Sequence, residues 1–338
     1  MTLPLSILDL SPISADIDGP QALRNSLDLA RRADALGYRR YWFAEHHNAA
    51  SVASSTPEVM IGQAARETER IRVGAGGVML PNHTPLKVVE TFRVLEALYP
   101  GRIDLGIGRA PGTDQVTAMA LRRSEEAFRQ DFFPRQLAEL LAFGGGEFPE
   151  GHPFRSIKAM PHDVALPPVW LLGSSNGYSA QAAGEMGLGF AFALHINPDL
   201  QAATAALQSY RSRFRPTDAF SQPQAILALS VICAEDEEQA EWLARPLDLS
   251  YVRLRQGRFE PLVSPQEAEA YQFTPAEQEL LRAVRRRHIV GDPQTVRRRI
   301  EELVDTTEAD EVMVMTMTYD HAERVQSYEL LAQAFETE

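Results

Sequence analysis

Residues 71–108 read IRVGAGGVMLPNHTPLKVVETFRVLEALYPGRIDLGIG. This stretch opens with an apolar run at 71–74 and closes with another at 103–107. Between the runs, Thr84 and Pro85 predict a helix start, with a capping hydroxyl before a proline at the first helical position. Helical spacing predicts that one set of apolar side chains faces inward: Val88, Phe92, Leu95 and Leu98. The stretch therefore predicts one strand–helix–strand unit.

The same alternation continues along all 338 residues. Further short apolar runs lie at 5–9, 41–44, 169–172, 190–193, 226–231 and 312–315, and helical patterns separate them. The runs are apolar throughout, which is typical of parallel strands buried on both faces. Eight such units favour an α/β protein with one (β/α)₈ TIM barrel domain over residues 1–338. A doubly wound open sheet gives the same local signals and is the alternative.

Three further segments stand out between the runs. Residues 144–168 are rich in Gly, Pro and His, and residues 246–290 follow a helix near 236–245 without a clear apolar face of their own. We expect both to be insertions at the C-terminal face of the barrel, where the loops after the strands lie. The stretch 124–143 predicts a helix, as does the start at Thr56 and Pro57.

Composition excludes several classes of protein. The balance of 33 basic and 46 acidic residues gives a net charge of −13, which argues against binding a nucleic-acid backbone. The single cysteine, Cys233, excludes an intramolecular disulfide and a cysteine-rich metal site. The N-terminus lacks the basic region of a signal peptide, and no run of 18 apolar residues predicts a membrane span. The cytoplasm is the expected location.

The residues after the strands are the candidates for chemistry, because barrel active sites lie at the strand C-terminal ends. The second strand leads into Glu45, His46 and His47. A histidine there can move protons near neutral pH, or it can be a hydrogen-bonded core residue. A metal site is disfavoured, because adjacent side chains on a strand point to opposite faces.

Glycines and a cation follow the third and fourth strands. Gly76 and Gly77 permit either a bulge or the close approach of a flat ligand, or they form a simple turn. Arg109 suits a phosphate or an anionic ring, or it forms a salt bridge at the rim. The glycines at 106–112 lack the spacing and the downstream acidic residue of a dinucleotide-binding fingerprint.

The fifth strand leads into GSSNG at 173–177, which matches a hydrolase nucleophile turn around Ser175. Later acidic and histidine residues are available as partners: Asp292, Asp310, His288 and His321. The second interpretation is a phosphate site, because Ser174, Ser175 and the backbone of a helix start bind phosphate. His195, after the sixth strand, faces the same cavity or is a core histidine.

The order of these segments resembles the bacterial luciferase-like flavin monooxygenases, over nearly the whole chain. The segments that carry the resemblance are LDLSP at 8–12, WFAEHH at 42–47, VGAGGVMLP at 73–81, GIGR at 106–109, GSS at 173–175, VGDP at 290–293 and YDH at 319–321. The resemblance implies a barrel, FMN as cofactor and a homodimer formed through early helices. Gly108 stands where light-emitting members often carry cysteine, so we do not expect light emission.

The resemblance also assigns roles to individual residues. His46, with Glu45, borders the flavin and supports its oxygen chemistry. Gly76 and Gly77 form a non-prolyl cis peptide against the flavin ring, and Ala193 closes the pocket. The resemblance assigns phosphate binding to Arg109, Ser174, Ser175 and Tyr178. Ser174 stands where the luciferases have an acidic residue. The segment around 250–290 forms a lid.

The expected function is that of a two-component monooxygenase. A separate reductase supplies reduced FMN, and the chain uses O₂ to oxygenate a small organic substrate. The arginines of the lid segment would allow an anionic group in that substrate: Arg253, Arg255 and Arg258. The alternatives are a deazaflavin-dependent hydride-transfer enzyme on the same barrel, a serine hydrolase using Ser175, and a flavin-binding protein without catalysis.

Overall fold

The computed structural model describes residues 3–123, 131–175 and 177–335. Its strands are β1 (Leu5–Asp9), β2 (Arg40–Phe43), β3 (Arg72–Met79), β4 (Ile103–Gly108), β5 (Val169–Gly173), β6 (Gly189–Ala193), β7 (Ala225–Cys233), β8 (His288–Gly291) and β9 (Glu311–Met315). Eight of them close a parallel barrel in the order β1 to β7 and then β9, which pairs with β1. The predicted (β/α)₈ barrel is confirmed, and each predicted apolar run is one of its strands.

Helices surround this barrel. They are α1 (Gly19–Ala35), α2 (Pro57–Glu67), α3 (Pro85–Leu98), α4 (Gln115–Arg122), α5 (Phe133–Phe143), α6 (Tyr178–Glu185), α7 (Leu200–Arg213), α8 (Glu237–Arg255), α9 (Pro265–Ala270), α10 (Pro275–Arg285), α11 (Pro293–Thr307) and α12 (His321–Phe335). Among the described residues, none of these helices is long and apolar enough to cross a membrane.

Proline starts two helices as predicted, but the capping chemistry differs. Helices α2 and α3 begin at Pro57 and Pro85, whereas the hydroxyls of Thr56 and Thr84 make no capping hydrogen bond. Leu98, predicted to face inward, is 65% exposed and is the last residue of α3. Of the helix predicted at 124–143, residues 124–130 lie outside the described residues, and α5 accounts for the rest.

The segment 246–290 is more regular than its sequence indicates. Pro246 lies inside α8 rather than at its end, and the helix runs on to Arg255 with Leu249 and Val252 buried. Two short helices, α9 and α10, follow. The segment then enters β8, which pairs in parallel with the last residues of β7 beyond the end of β6. Strand β8 lies outside the ring and was not predicted.

Buried charges fill the barrel interior at its N-terminal end. Arg40, at the start of β2, donates to Glu311 of β9 at 2.9 Å and to Asp104 of β4 at 2.8 Å. Asp104 also accepts a hydrogen bond from Nε1 of Trp42 at 3.1 Å. The ring of Trp42 packs edge-on against Trp170, with 5.6 Å between the ring centroids. The buried ion cluster and the two indole rings therefore fill the N-terminal end of the barrel. The open space lies at the C-terminal end.

Candidate active site

A cavity of about 560 Å³ opens at the C-terminal end of the barrel, within the usual size range of small-molecule sites. Of the nine residues predicted for the site, seven line this cavity: His46, Gly76, Arg109, Ser174, Ser175, Tyr178 and Ala193. They come from five different strand ends, as the barrel topology requires. Glu45 and Gly77 do not line the cavity.

The side of the cavity at β4 and β5 can bind an anion. Arg109 is half-exposed, forms an ion pair with Asp131, and lies 5.8 Å from the ring centroid of Tyr178. Ser174 and Ser175 precede helix α6, whose cap residue, Gly177, provides no side-chain hydrogen bond. The first N–H groups of this helix are therefore left for another acceptor. Asn176, within the predicted serine turn, lies outside the described residues.

Glycine leaves bare backbone on a neighbouring wall. The peptide bond between Gly76 and Gly77 is cis, as the resemblance implies. A Cβ at Gly76 would lie 2.7 Å from Leu8 Cδ1, and a Cβ at Gly108 would lie 2.7 Å from Met79 Sδ. Leu8 and Met79 therefore pack directly against the backbone of these two glycines, and a side chain at either position would displace them. Gly77 turns toward β4 instead, where its Cβ would meet the carbonyl oxygen of Gly106 at 2.7 Å.

His46 lies at the cavity and is not held by other side chains. Its backbone N–H donates to the Ser54 carbonyl at 2.8 Å, but its buried Nδ1 has no hydrogen-bond partner among the described residues. Burial lowers the pKa of the imidazole, and the neighbouring His47 lowers it further. The ring is therefore neutral at neutral pH, and a bound molecule can satisfy it.

Glu45 is buried beneath the cavity in a hydrogen-bond network of its own. It accepts from Nε2 of His47 at 2.9 Å, from Nε2 of His83 at 2.9 Å and from the backbone N–H of Met79 at 2.9 Å. Burial alone would raise the pKa of this carboxyl, but these hydrogen bonds outweigh burial and leave the pKa below its usual value. The hydrogen bond to Glu45 in turn raises the pKa of His83.

Glu45 does not line the cavity, and its predicted place beside the cofactor stays a prediction. Side chains alternate along an extended chain, so Glu45 and His47 share one side and His46 takes the other. Glu45 holds the chain after β3 in position through Met79 and His83. Within the described residues, no group of three or more His, Cys, Asp or Glu side chains is arranged to hold a metal ion.

His195, which the sequence offered as a further candidate, reaches the cavity together with residues that escaped prediction. His195 lines the wall opposite His46, and its Nδ1 lies 3.2 Å from the Ala228 carbonyl, so both interpretations of this histidine hold. Burial lowers its pKa to about 4. Tyr251, from the lid segment, also reaches the cavity. The remaining unpredicted lining is mostly apolar, and its sequence signal is the same as that of core residues: Leu8, Leu10, Trp42, Ala44, Met79, Leu172, Ala191, Ala228, Met313 and Met315.

The hydrolase interpretation lacks its partners. No described histidine is hydrogen-bonded to Ser175. His288 is held by Ser230 at 2.7 Å and His321 by Asp28 at 3.0 Å. The two predicted acids serve elsewhere as well: Asp292 caps helix α11, and Asp310 pairs with Arg211.

The arginines of the lid segment do not face the cavity. Arg253 pairs with Glu260 at 3.1 Å, and Arg258 pairs with the same carboxylate at 2.9 Å. Neither of them, nor Arg255, lines the cavity. The expected support for an anionic substrate is therefore absent from the described part of the chain.

Known proteins resemble this chain over its whole length. A family model described as luciferase-like monooxygenase matches residues 3–309. A luciferase-like monooxygenase of Escherichia coli (strain K12) is 43% identical over 329 residues, which cover 97% of this chain and 96% of that protein. The N-acetyl-S-alkylcysteine monooxygenase of Bacillus subtilis (strain 168) is 34% identical over 331 residues, with 98% and 97% coverage.

Solved structures share the fold. The crystal structure of apo-MsnO8 matches with a TM-score of 0.88 and 37% identity, over 99% of this chain and 98% of that one. The oxygenating constituent of 3,6-diketocamphane monooxygenase from Pseudomonas putida, in complex with FMN, has a TM-score of 0.74 at 20% identity, over 99% and 98%. An F420-dependent secondary alcohol dehydrogenase has a TM-score of 0.69 at 14% identity, over the full length of both chains.

Proposed function

Because the chain belongs to the family of luciferase-like monooxygenases, we propose that it is the oxygenating component of a two-component, FMN-dependent monooxygenase. The observation that carries the proposal is one cavity that combines an anion-binding side, a wall of bare backbone and a neutral histidine with an unpartnered nitrogen. These three features match the phosphate, the ring and the reacting edge of a flavin nucleotide.

Arg109, Ser174, Ser175 and Tyr178 would hold the FMN phosphate. The guanidinium supplies the positive charge, the two serine hydroxyls donate hydrogen bonds, and the start of helix α6 adds backbone N–H groups. The tyrosine ring lies beside Arg109 and restricts its orientation. Asp131, which pairs with Arg109, competes with the phosphate for that guanidinium.

The backbone at Gly76 and Gly108 would face the flavin ring, with Ala193 as a small residue across the pocket. When bound, reduced FMN supplies the electrons for the activation of O₂. The chain contributes binding, orientation and the exclusion of water from the ring.

His46 would act at the reacting edge of the flavin. Its ring is neutral at neutral pH, so it can donate one hydrogen bond and accept another, and it can hold a proton and return it. An unpartnered buried nitrogen costs about 1–3 kcal/mol, and a bound partner would remove that cost. Glu45 would be a positioning residue that fixes the segment on which His46 lies.

The segment 246–290 would act as the lid, and residues 144–168 as a second insertion at this face. Tyr251 of α8 already contributes to the cavity wall, so a movement of this helix would open or close the site. Closure over the ring would keep water from the reacting atoms.

The remaining components follow from the same proposal. A separate reductase would deliver reduced FMN in the cytoplasm. Two copies of the chain would pair through early helices, where Val59 of α2 and Leu98 of α3 are more than half exposed. Sedimentation at the mass of one 37.6 kDa chain would contradict the dimer.

The deciding test is an anaerobic titration with reduced FMN and, in parallel, with reduced F420, a deazaflavin. Binding of FMN, followed by oxygen consumption when air is admitted, supports the monooxygenase. Binding of F420 alone would overturn it in favour of hydride transfer. Binding of neither would also overturn it, and labelling of Ser175 by a fluorophosphonate would then revive the hydrolase.

A further inference from the structure

A second concave site lies outside the barrel and plays no part in the proposed function. It is a groove of about 820 Å³ between the start of α7, the first turns of α8, strand β8 and helix α11. Among the described residues, it shares no lining residue with the active-site cavity. The VGDP segment at 290–293, which carried part of the resemblance, runs from its floor on β8 into α11.

Helix α11 gives the groove its length. It contributes five residues of one helical face: Thr295, Arg299, Glu302, Leu303 and Thr306. From the first to the last of them this face spans about 16 Å, given the rise of an α-helix. Apolar side chains from three elements lie beside it: Leu200, Ile289, Val290 and Leu303. The groove therefore has room for an organic molecule and apolar surface for its body.

Positive charge in the groove is only partly balanced. Arg286 and Arg299 line it, and neither makes an ion pair or a side-chain hydrogen bond within the described chain. Arg285 does pair, with Glu241 and with Asp248. Even so, burial and the charge of Arg299 lower the pKa of the Arg285 guanidinium. These two cations therefore repel each other, and a bound anion would relieve the repulsion.

The acidic residues of the groove do not cancel this charge. Glu241 is engaged by Arg285. Glu302 pairs at 2.9 Å with Arg298, which lies on α11 but does not line the groove. Glu237 accepts a hydrogen bond from the Thr295 hydroxyl at 3.4 Å and forms no ion pair among the described residues. Two unpaired arginines thus face one unpaired glutamate, and the groove keeps an excess of positive charge.

A buried imidazole at the groove also lacks a partner. His288 is 6% exposed, and its Nδ1 lies 2.7 Å from the hydroxyl of Ser230. Its Nε2 has no hydrogen-bond partner among the described residues, and neither has Nη1 of Arg285. Burial lowers the pKa of His288 to about 3, so the ring is neutral. When the Ser230 hydroxyl donates to Nδ1, the ring proton lies on Nε2 and can be donated to a ligand oxygen.

We propose that this groove is a second ligand site and that it takes an organic phosphate monoester with an apolar body. A phosphate carries up to two negative charges at neutral pH, which match the unpaired guanidinium groups of Arg286 and Arg299. The body packs on Leu200, Ile289 and Leu303. The inference goes beyond the proposed function and does not depend on it, because nothing in the groove requires a flavin.

Calorimetry with 1-naphthyl phosphate tests the site on the Arg109→Ala chain, whose active-site cavity has lost its arginine. No flavin is present, so the outcome is independent of whether FMN binds. We expect one molecule to bind per chain. Inorganic phosphate should bind at least about tenfold more weakly, because it lacks the apolar body. The inference is overturned if the ester shows no saturable binding up to about 10 mM, or if inorganic phosphate binds equally well.

Substitution then locates the site. Arg299→Met, added to this chain, should weaken binding of the ester about fivefold, because one exposed ion pair with the phosphate is lost. Arg286→Met should weaken it by a similar factor. The matched control is Arg297→Met, because Arg297 is an exposed residue of the same helix that pairs with Glu301 and does not line the groove. The control should bind the ester as its parent does.

The three arginines are at the surface, so we expect each variant to fold, and circular dichroism checks this. Equal affinities in folded Arg299→Met and Arg297→Met would refute the location.

Discussion

Replacing Arg109 with alanine should weaken the binding of FMN far more than the binding of riboflavin. The two molecules share the ring and the ribityl chain, and they differ in the phosphate alone. Arg109 is the only charged side chain among the described residues that line the cavity. If its role is to hold the phosphate, its loss must act on the molecule that carries the phosphate.

The magnitude follows from the two contacts that Arg109 exchanges. A hydrogen bond to a charged group contributes about 1.5–3 kcal/mol. Against this, binding of the phosphate disturbs the ion pair with Asp131, in which both side chains are about half exposed. Such surface pairs contribute about 0–1 kcal/mol. The net loss for Arg109→Ala is therefore about 0.5–3 kcal/mol, or about twofold to 150-fold in the dissociation constant of FMN.

The assay is a fluorescence titration of each flavin with wild type and variant. Arg135→Ala provides the matched control, because Arg135 also pairs with an acidic residue, Glu139, and also lies over an aromatic ring, that of Phe132. It does not line the cavity, so we expect both flavins to bind this variant as they bind the wild type.

Asp131→Ala tests the same reasoning from the opposite direction. Without its competitor, Arg109 is free for the phosphate, and FMN should bind up to about fivefold more tightly, while riboflavin binds as before. An equal loss of FMN and riboflavin affinity in Arg109→Ala would refute the phosphate role. It would mean that Arg109 shapes the cavity as a whole.

Three further predictions concern His46, the ion cluster and the Glu45 network. His46→Ala should bind reduced FMN with an affinity within about twofold of wild type. In air it should release hydrogen peroxide about tenfold faster, because proton control at the flavin is lost. An unchanged rate of peroxide release would remove His46 from the mechanism. Arg40→Met should lower the free energy of unfolding in urea by about 1.5–3 kcal/mol, because it removes a buried guanidinium from two buried carboxylates and leaves Asp104 to Arg72 and Glu311 to Arg39. Arg39→Met, at a half-exposed partner of Glu311, should cost at most about 1 kcal/mol, and equal losses would contradict this. Glu45→Gln should destabilise the protein most between about pH 4.5 and 6.5, the usual pKa values of Glu and His. The pKa of Glu45 is lowered, so its contribution to stability is lost as the pH falls below this window. The pKa of His83 is raised, so its contribution is lost as the pH rises through its pKa in the folded protein. If the unfolding free energies of wild type and variant differ by the same amount from about pH 5 to 8.5, the pairing is disproved.

The barrel could be predicted because its strands are continuous apolar runs separated by helices, and these signals are local. Strand β8 could not be predicted, because its four residues form a strand only by pairing with β7, more than 50 residues earlier in the chain. Helix α8 continues past Pro246 for a similar reason. Packing of Leu249 and Val252 against the rest of the protein compensates for the backbone hydrogen bond that a proline cannot make.

Polar residues at the strand ends were enough to predict most of the residues that line the cavity, but they did not show which way each side chain points. The alternation that places His46 at the cavity also turns the side chains of Glu45 and His47 away from it. The apolar residues that line the cavity had no comparable signal. Met313 and Met315 lie on a buried strand, and an inward-facing methionine has the same pattern whether it packs on protein or on a ligand.

The ion cluster explains why the cavity has an apolar floor at one end of a charged barrel. Arg40 occupies both Asp104 and Glu311, so the charges at the N-terminal end satisfy one another and none reaches the cavity. Asp104 then fixes the indole of Trp42, which separates these charges from the space above. A variant that breaks the cluster without unfolding the chain should therefore loosen the packing of Trp42 at the base of the cavity.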